Sequence, residues 1–176
     1  MSTWTIDPAH SEVQFKVKHL VISTVTGSFG KFSGQLETES GDFTQAKISF
    51  DADVDSVDTN NPDRDNHLKS ADFFDVANFP KISFESESFE KTGDATYKLN
   101  GKLTMRGVTK TISLDVEHGG IMVDPYGNTK AGFELMGKLS RKAFGLNWNA
   151  VTEAGGAVVS DEVKLLLNIQ LAKKLA

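Results

Sequence analysis

Between residues 64 and 75 the chain reads Arg64-Asp65-Asn66-His67-Leu68, with Asp72, Phe73, Phe74 and Asp75 close behind. A permanent cation, carboxylates and an imidazole in so short a stretch have the chemical range of an acid–base pair, an anion clamp or part of a metal site. Spacing narrows the choice. On a helix, Arg64 and Leu68 lie one turn apart, as do Asp63 and His67, whereas the adjacent Arg64 and Asp65 cannot face each other. Leu68, Phe73, Phe74 and Phe79 need an apolar body to enter. The segment therefore has two readings. It is a plug that seals the end of a larger body, with Arg64, Asp65 and His67 making its hydrogen bonds, or it is a polar mouth that meets the head group of a ligand.

The other chemical candidates fail on spacing. Asp51, Asp53 and Asp55 open a stretch that looks like a calcium loop, but that loop requires Gly where Ser56 stands and Glu where Pro62 stands. The run Gly27-Ser28-Phe29-Gly30-Lys31-Phe32 lacks the phosphate-loop Gly at Val25 and the hydroxyl at Phe32. His10, His19, His67 and His118 show no His-x-His or His-Glu-x-x-His pattern, so no metal site is expected. There is no Gly-x-Ser-x-Gly elbow for a serine nucleophile. The chain has no cysteine, which excludes disulfides, thiolate ligands and Cys nucleophiles. No catalytic residue and no cofactor are expected.

Whatever RDNHL does, it is carried by strands. Val13, Phe15 and Val17 alternate with polar residues, as do Ile48, Phe50, Ala52 and Val54, and Ile82 and Phe84. Ile112, Leu114 and Val116 repeat the pattern, as do Ala131, Phe133, Leu135 and Leu139, and Val163, Leu165, Leu167, Ile169 and Leu171. One strand through Tyr97, Leu99, Gly101, Leu103 and Met105 keeps a single apolar face, which places the turn at Arg106-Gly107-Val108-Thr109 rather than at Asn100-Gly101. Gly101 in mid-strand predicts a bend or bulge. Asn61 can cap a short helix with Pro62 at its first position, running to about Lys69, and Ser70 can cap a further turn. About eight to ten strands with one helical insertion near residues 62–75 predict an all-β fold in one domain, 1–176, an antiparallel sheet closed on itself or nearly so.

The net charge is −5 at pH 7, with no basic run, which offers no attraction to nucleic acid. Twelve Phe against two Tyr and two Trp suggest a dry interior, because Phe has no polar handle. The N-terminal stretch has neither a basic nor an apolar export region. The expected location is cytoplasmic for the chain as written, and periplasmic if an export signal precedes it.

Taken in order, the segments Trp4-Thr5-Ile6-Asp7-Pro8-Ala9-His10-Ser11, Phe15-Lys16-Val17-Lys18-His19, Gly27-Ser28-Phe29, Phe32-Ser33-Gly34, Arg64-Asp65-Asn66-His67-Leu68, Asp72-Phe73-Phe74 and Phe79-Pro80 form a recognisable set. Gly101-Lys102-Leu103-Thr104-Met105-Arg106-Gly107, Arg141-Lys142-Ala143-Phe144-Gly145-Leu146 and Val159-Ser160-Asp161-Glu162-Val163 complete it. Together they resemble the YceI-like, polyisoprenoid-binding family over essentially the whole chain. Lys102 stands where that family often has Asp, a change on the surface face. The resemblance implies an extended antiparallel lipocalin-like barrel with an amphiphilic lipid in its pore, a homodimer, transient membrane contact and a place in stress response or isoprenoid transport. It implies no catalytic residues. The expected function is to bind a long isoprenoid or similar lipid for sequestration, storage or transport. A binder of fatty acid or fatty amide, and an enzyme acting on such a lipid through His67 or His19, are the alternatives. The expected ligand-binding residues are Phe15, Val17, Phe50, Phe73, Phe74, Phe84, Leu103, Met105, Leu114, Phe133, Leu135, Phe144 and Leu167, with Arg64 and His67 as candidate head-group residues.

Overall fold

The computed structural model describes residues 1–20, 22–39, 43–147 and 159–175. Among these the strands are β1 (Ser2–Ile6), β2 (Glu12–His19), β3 (Ser23–Phe29), β4 (Phe32–Thr38), β5 (Lys47–Asp53), β6 (Val57–Asp58), β7 (Lys81–Lys91), β8 (Thr96–Met105), β9 (Val108–Val123), β10 (Thr129–Ser140) and β11 (Val159–Lys173). A single α-helix among the described residues, α1 (Pro62–Lys69), lies between β6 and β7. Eight strands close into an antiparallel barrel, ordered β1-β4-β5-β7-β8-β9-β10-β11 and back to β1.

β11 closes the barrel with two partners. Its Leu171 and Lys173 pair with Ile6 and Trp4 of β1. Its Val163 and Leu167 pair with Val17 and Val13 of β2, from which the sheet continues through β3 to β6. The corner between β1 and β2 is Asp7-Pro8-Ala9-His10-Ser11. The Asp7 backbone N–H donates to the Gln170 carbonyl at 2.9 Å, and the Gln170 N–H donates to the Ser11 hydroxyl at 2.9 Å. The Asp7 carboxylate accepts from Lys130 at 2.8 Å and from His10 at 2.8 Å. These two bonds hold its pKa down at about 2, the Lys130 bond having the larger effect.

The period-two faces point as the alternation requires. Leu36, Ala52, Ile82, Phe84, Leu99, Leu103, Leu114, Val116 and Phe133 are buried. The β5 pattern ends one residue early: Val54 leaves the strand and begins a 3₁₀ turn, Val54–Ser56, yet remains buried. The turn forms where expected but is tighter, only Arg106-Gly107, because Val108 and Thr109 already pair within β9. Met105 pairs with Val108, and both turn residues adopt positive φ (+52° and +72°), the geometry that matches strand twist in a two-residue hairpin. The bulge expected at Gly101 falls on its partner strand. Ser86 pairs with Gly101 and Ser88 with Asn100, which leaves Glu87 as the extra residue.

α1 has the predicted bounds and cap: the Asn61 side chain accepts from the backbone N–H groups of Asp63 and Arg64, each at 3.1 Å. No α1 residue is fully buried, so the helix is held by its cap and polar contacts more than by an apolar face. The Arg106 guanidinium fastens the segment that follows, donating to the carbonyls of Ala71 at 2.7 Å and Gly145 at 3.0 Å. α1 and its trailing turn thus sit at the barrel end that carries the β8–β9 turn.

Candidate functional site

The interior is not filled. The barrel encloses a cavity of about 550 Å³ whose wall is almost wholly apolar. Eight-stranded barrels have an interior that side chains can just fill or that can hold one small ligand. This one is of the second kind, and its volume lies within the range of small-molecule sites, about 300–1,000 Å³.

Of the residues expected from the sequence, Phe15, Val17, Phe50, Phe73, Phe74, Phe84, Leu103, Met105, Leu114, Phe133, Leu135 and Leu167 line this cavity. Phe144 does not: it packs in the hydrophobic core within a 3₁₀ turn (Lys142–Phe144), outside the wall. Arg64 and His67 both reach the cavity, beside Asp63 and Leu68 of the same helix.

The two ends differ. At the end away from α1, next to the start of β8, the loop between β4 and β5 inserts Phe43, which is 2% exposed. Its ring meets Trp4 at 5.2 Å, His118 at 5.2 Å and Phe133 at 5.3 Å, all edge-on, and His118 stacks on Phe133 at 4.7 Å. Edge-to-face and offset contacts at these distances are the favoured geometries of aromatic rings. The His118 Nε2 is buried with no hydrogen-bond partner among the described residues. Burial pushes the His118 pKa below its ordinary value, against a hydrogen bond to the Gly120 backbone that raises it. Sequence reasoning missed this closed end, because Phe43 stands alone in a polar loop with no period to give it away.

The α1 end is polar, and its geometry explains RDNHL. Thr59, 3% exposed, is the hub. Its backbone N–H donates to the Asp65 carboxylate at 2.8 Å, and its hydroxyl donates to the same oxygen. Arg64 Nε donates to that hydroxyl at 2.8 Å, and Nη2 to the Thr59 carbonyl at 2.6 Å. Arg64 and Asp65, which cannot meet directly, are joined through Thr59. His67 Nε2 pairs with the Asp72 carboxylate at 2.9 Å, and its ring meets Phe73 edge-on at 5.1 Å. Across the mouth stand His19, Val159 and Arg141.

Arg141 went unnoticed as a site residue. It is 4% exposed and donates to the carbonyls of Leu146 at 2.6 Å, Ser160 at 2.8 Å and Val159 at 3.0 Å. Burial lowers its pKa, and the Asp161 charge opposes the shift. A guanidinium still keeps its proton, so a fixed positive charge stands at the cavity wall. Among the described residues no group of three or more His, Asp or Glu is placed to hold a metal ion.

An apolar, lipocalin-like pore with these ordered motifs invites comparison with known proteins. The sequence profile of the YceI-like domain matches residues 4–171. The chain belongs to the YceI-like family. A Staphylococcus aureus relative, UPF0312 protein SAB2563, is 38% identical over 165 residues, 93% of this chain and 94% of that protein. The crystal structure of a Campylobacter jejuni YceI protein superposes with a TM-score of 0.76 at 32% identity, covering 90% of each chain. A polyisoprenoid-binding domain from Saccharophagus degradans, implicated in plant cell wall breakdown, superposes with a TM-score of 0.69 at 15% identity, covering 97% of this chain and 98% of that one. At that identity the likeness concerns the fold.

Several motifs that carry the YceI-like resemblance are seen to be joints of the barrel. Asp7 and Ser11 lock the β1–β2 corner onto β11. The Arg141–Leu146 segment and the start of β11 hold each other: Asp161 accepts from the Ser140 hydroxyl at 2.7 Å and from the Lys142 backbone at 3.0 Å, while Arg141 binds Val159 and Ser160.

Proposed function

We propose that this YceI-like barrel binds one long-chain amphiphile of the isoprenoid class, tail inward, for sequestration, storage or transport. The observation that carries the reading is the cavity of about 550 Å³, apolar along its wall, with an aromatic floor at one end and a polar mouth at the other. Such a space suits a hydrocarbon tail with a single polar head. The described binding of polyisoprenoid by the S. degradans domain of the same fold supports the choice of lipid.

The energies set a minimum tail. Burying a CH₂ group stabilises by about 0.8 kcal/mol, so a five-carbon isoprene unit gains about 4 kcal/mol. Association costs about 4–15 kcal/mol. One unit does not offset the middle of that range, whereas three or four do. The ligand is therefore a long chain rather than a short terpene.

The test is direct. Purified protein is extracted into organic solvent and the extract identified by mass spectrometry. Delipidated protein is then titrated with geranylgeraniol and with a saturated fatty alcohol of similar length. Saturable binding of the prenyl chain, tighter than the saturated one, is the expected result. Tighter binding of the saturated chain would favour a fatty-acid or fatty-amide ligand, and no saturable binding of either would end the reading. An enzyme reading would instead need turnover that disappears in His67→Ala while lipid binding persists.

A further inference from the structure

The cavity wall is charged at one end only. Asp63, Arg64 and His67 come from α1, Arg141 from beyond β10, and His19 from the end of β2. These elements meet at the mouth. His19 pairs with Val159, whose carbonyl accepts from Arg141, and Arg106 ties the Gly145 turn to the segment after α1. Arg64 and Arg141 line the cavity there with the exposed Asp63, while Asp65 is held on Thr59 beside Arg64, Asp72 pairs with His67 and Asp161 acts on Arg141, so the mouth gathers charges of both signs on a chain of net charge −5. The low-dielectric wall beneath the mouth strengthens the field of any charge there that lacks a direct counter-ion.

Arg64 is the side chain built to use that field. Thr59 fixes its Nε and Nη2, and Asp65 fixes Thr59, so the guanidinium is held before any ligand arrives. Its Nη1 has no partner among the described residues, and no carboxylate there lies within ion-pair distance of it. A pre-positioned guanidinium with donors to spare favours an oxygen anion and wastes little entropy in binding it. One turn along the same face, His67 is oriented by Asp72. Arg141 has its donors on carbonyls, so it acts by charge rather than by contact.

Resting on the lipid-binding reading above, we propose that the mouth selects lipids with an anionic oxygen head, a phosphate or a carboxylate, and that Arg64 is the residue that grips it. The tail threads toward Phe43, and the head stays at the rim between α1 and the start of β11.

Three ligands with one tail test this: geranylgeranyl phosphate, geranylgeranoic acid and geranylgeraniol, titrated into delipidated protein by calorimetry. Wild type should bind both anions about ten- to a hundred-fold tighter than the alcohol, the range of a charged hydrogen bond. Raised salt should shrink that ratio. Arg64→Gln should remove most of the preference and affect the alcohol least, and Arg64→Lys should restore part of it. A larger preference for phosphate over carboxylate would assign the site to phosphorylated lipids, and the reverse to lipid acids. Equal affinity of wild type for all three overturns the proposal and needs no variant to do so. Equal losses for all three in a folded Arg64→Gln protein also overturn it, because Arg64 then only braces the plug. If none of the three binds, the lipid reading falls with it.

Discussion

Phe43 packs behind the cavity wall, against Phe133, from a backbone conformation that side chains avoid. Its φ is +66°, in the left-handed region, while its ring is buried among Trp4, His118 and Phe133. Two substitutions separate these features. Phe43→Ala removes the ring and keeps the strain, and loss of a buried Phe costs about 3–5 kcal/mol. Phe43→Gly also removes the ring but frees the backbone, since a residue with a Cβ loses about 1–2 kcal/mol in the left-handed region and Gly does not. Against that, Gly gives the unfolded chain extra entropy equivalent to about 0.4–1 kcal/mol. The Gly variant should therefore be the more stable of the two by up to about 1.6 kcal/mol, the reverse of the usual order. Urea unfolding at pH 7 measures both, with equal slopes required for the comparison. A loss below about 1 kcal/mol in Phe43→Ala would mean that the ring does not close the barrel. A Gly variant clearly weaker than the Ala variant would mean that residue 43 is not left-handed.

Three further outcomes follow from the same geometry. Phe133→Asp places a charge with no partner on the cavity wall and should abolish lipid retention or folding; a folded variant with normal lipid content would sink the tunnel. Asp7 has a folded pKa of about 2, below its ordinary 3.8, so the stability it adds is complete above that ordinary value and is lost as pH falls toward 2. After allowance for screening, Asp7→Asn should cost about 1 kcal/mol at pH 6 and little near pH 2, and a penalty independent of pH would refute the ion-pair account. His118 has a lowered pKa, so the unfolded chain takes up its proton first and stability falls as pH drops below 6.5. His118→Phe should flatten that slope in acid unfolding curves, and an unchanged slope would show that His118 is not its source.

The alternation made the barrel legible because each strand has one face toward the cavity and one toward solvent, and a period of two records that difference directly. α1 was legible because Asn61-Pro62 is a local signal. Phe43, Arg141 and Val54 were not, each for its own reason. Phe43 is buried by residues of β1, β9 and β10, distant in sequence. The Arg141 charge is satisfied in part by carbonyls 18 and 19 residues further along, which no local pattern encodes. Val54 keeps the strand's alternation although the backbone has already turned, since one buried position looks the same in either conformation. Whether the interior was open or filled also lay beyond the pattern, because alternation reports which way a side chain points and not how far it reaches.

How far the large side chains reach is settled by glycine. A Cβ at Gly27 would collide with the Phe15 ring, and a Cβ at Gly101 would collide with the Phe84 ring. Each ring lies down over a bare stretch of neighbouring backbone instead of standing into the lumen. A wall rich in Phe therefore stays smooth, and the space is left for a ligand. An apolar tube of this kind reads length and width but little else, since CH₂ groups are alike at any depth. Chemical discrimination must then come from the ends. The aromatic end at Phe133, backed by Phe43, and the polar mouth with Arg64 and Arg141 are the two places where this tube departs from plain hydrocarbon. RDNHL, which first looked like a catalytic cluster, is the short helix that supplies Arg64 and His67 to that mouth while Thr59 and Asp65 hold the guanidinium in place.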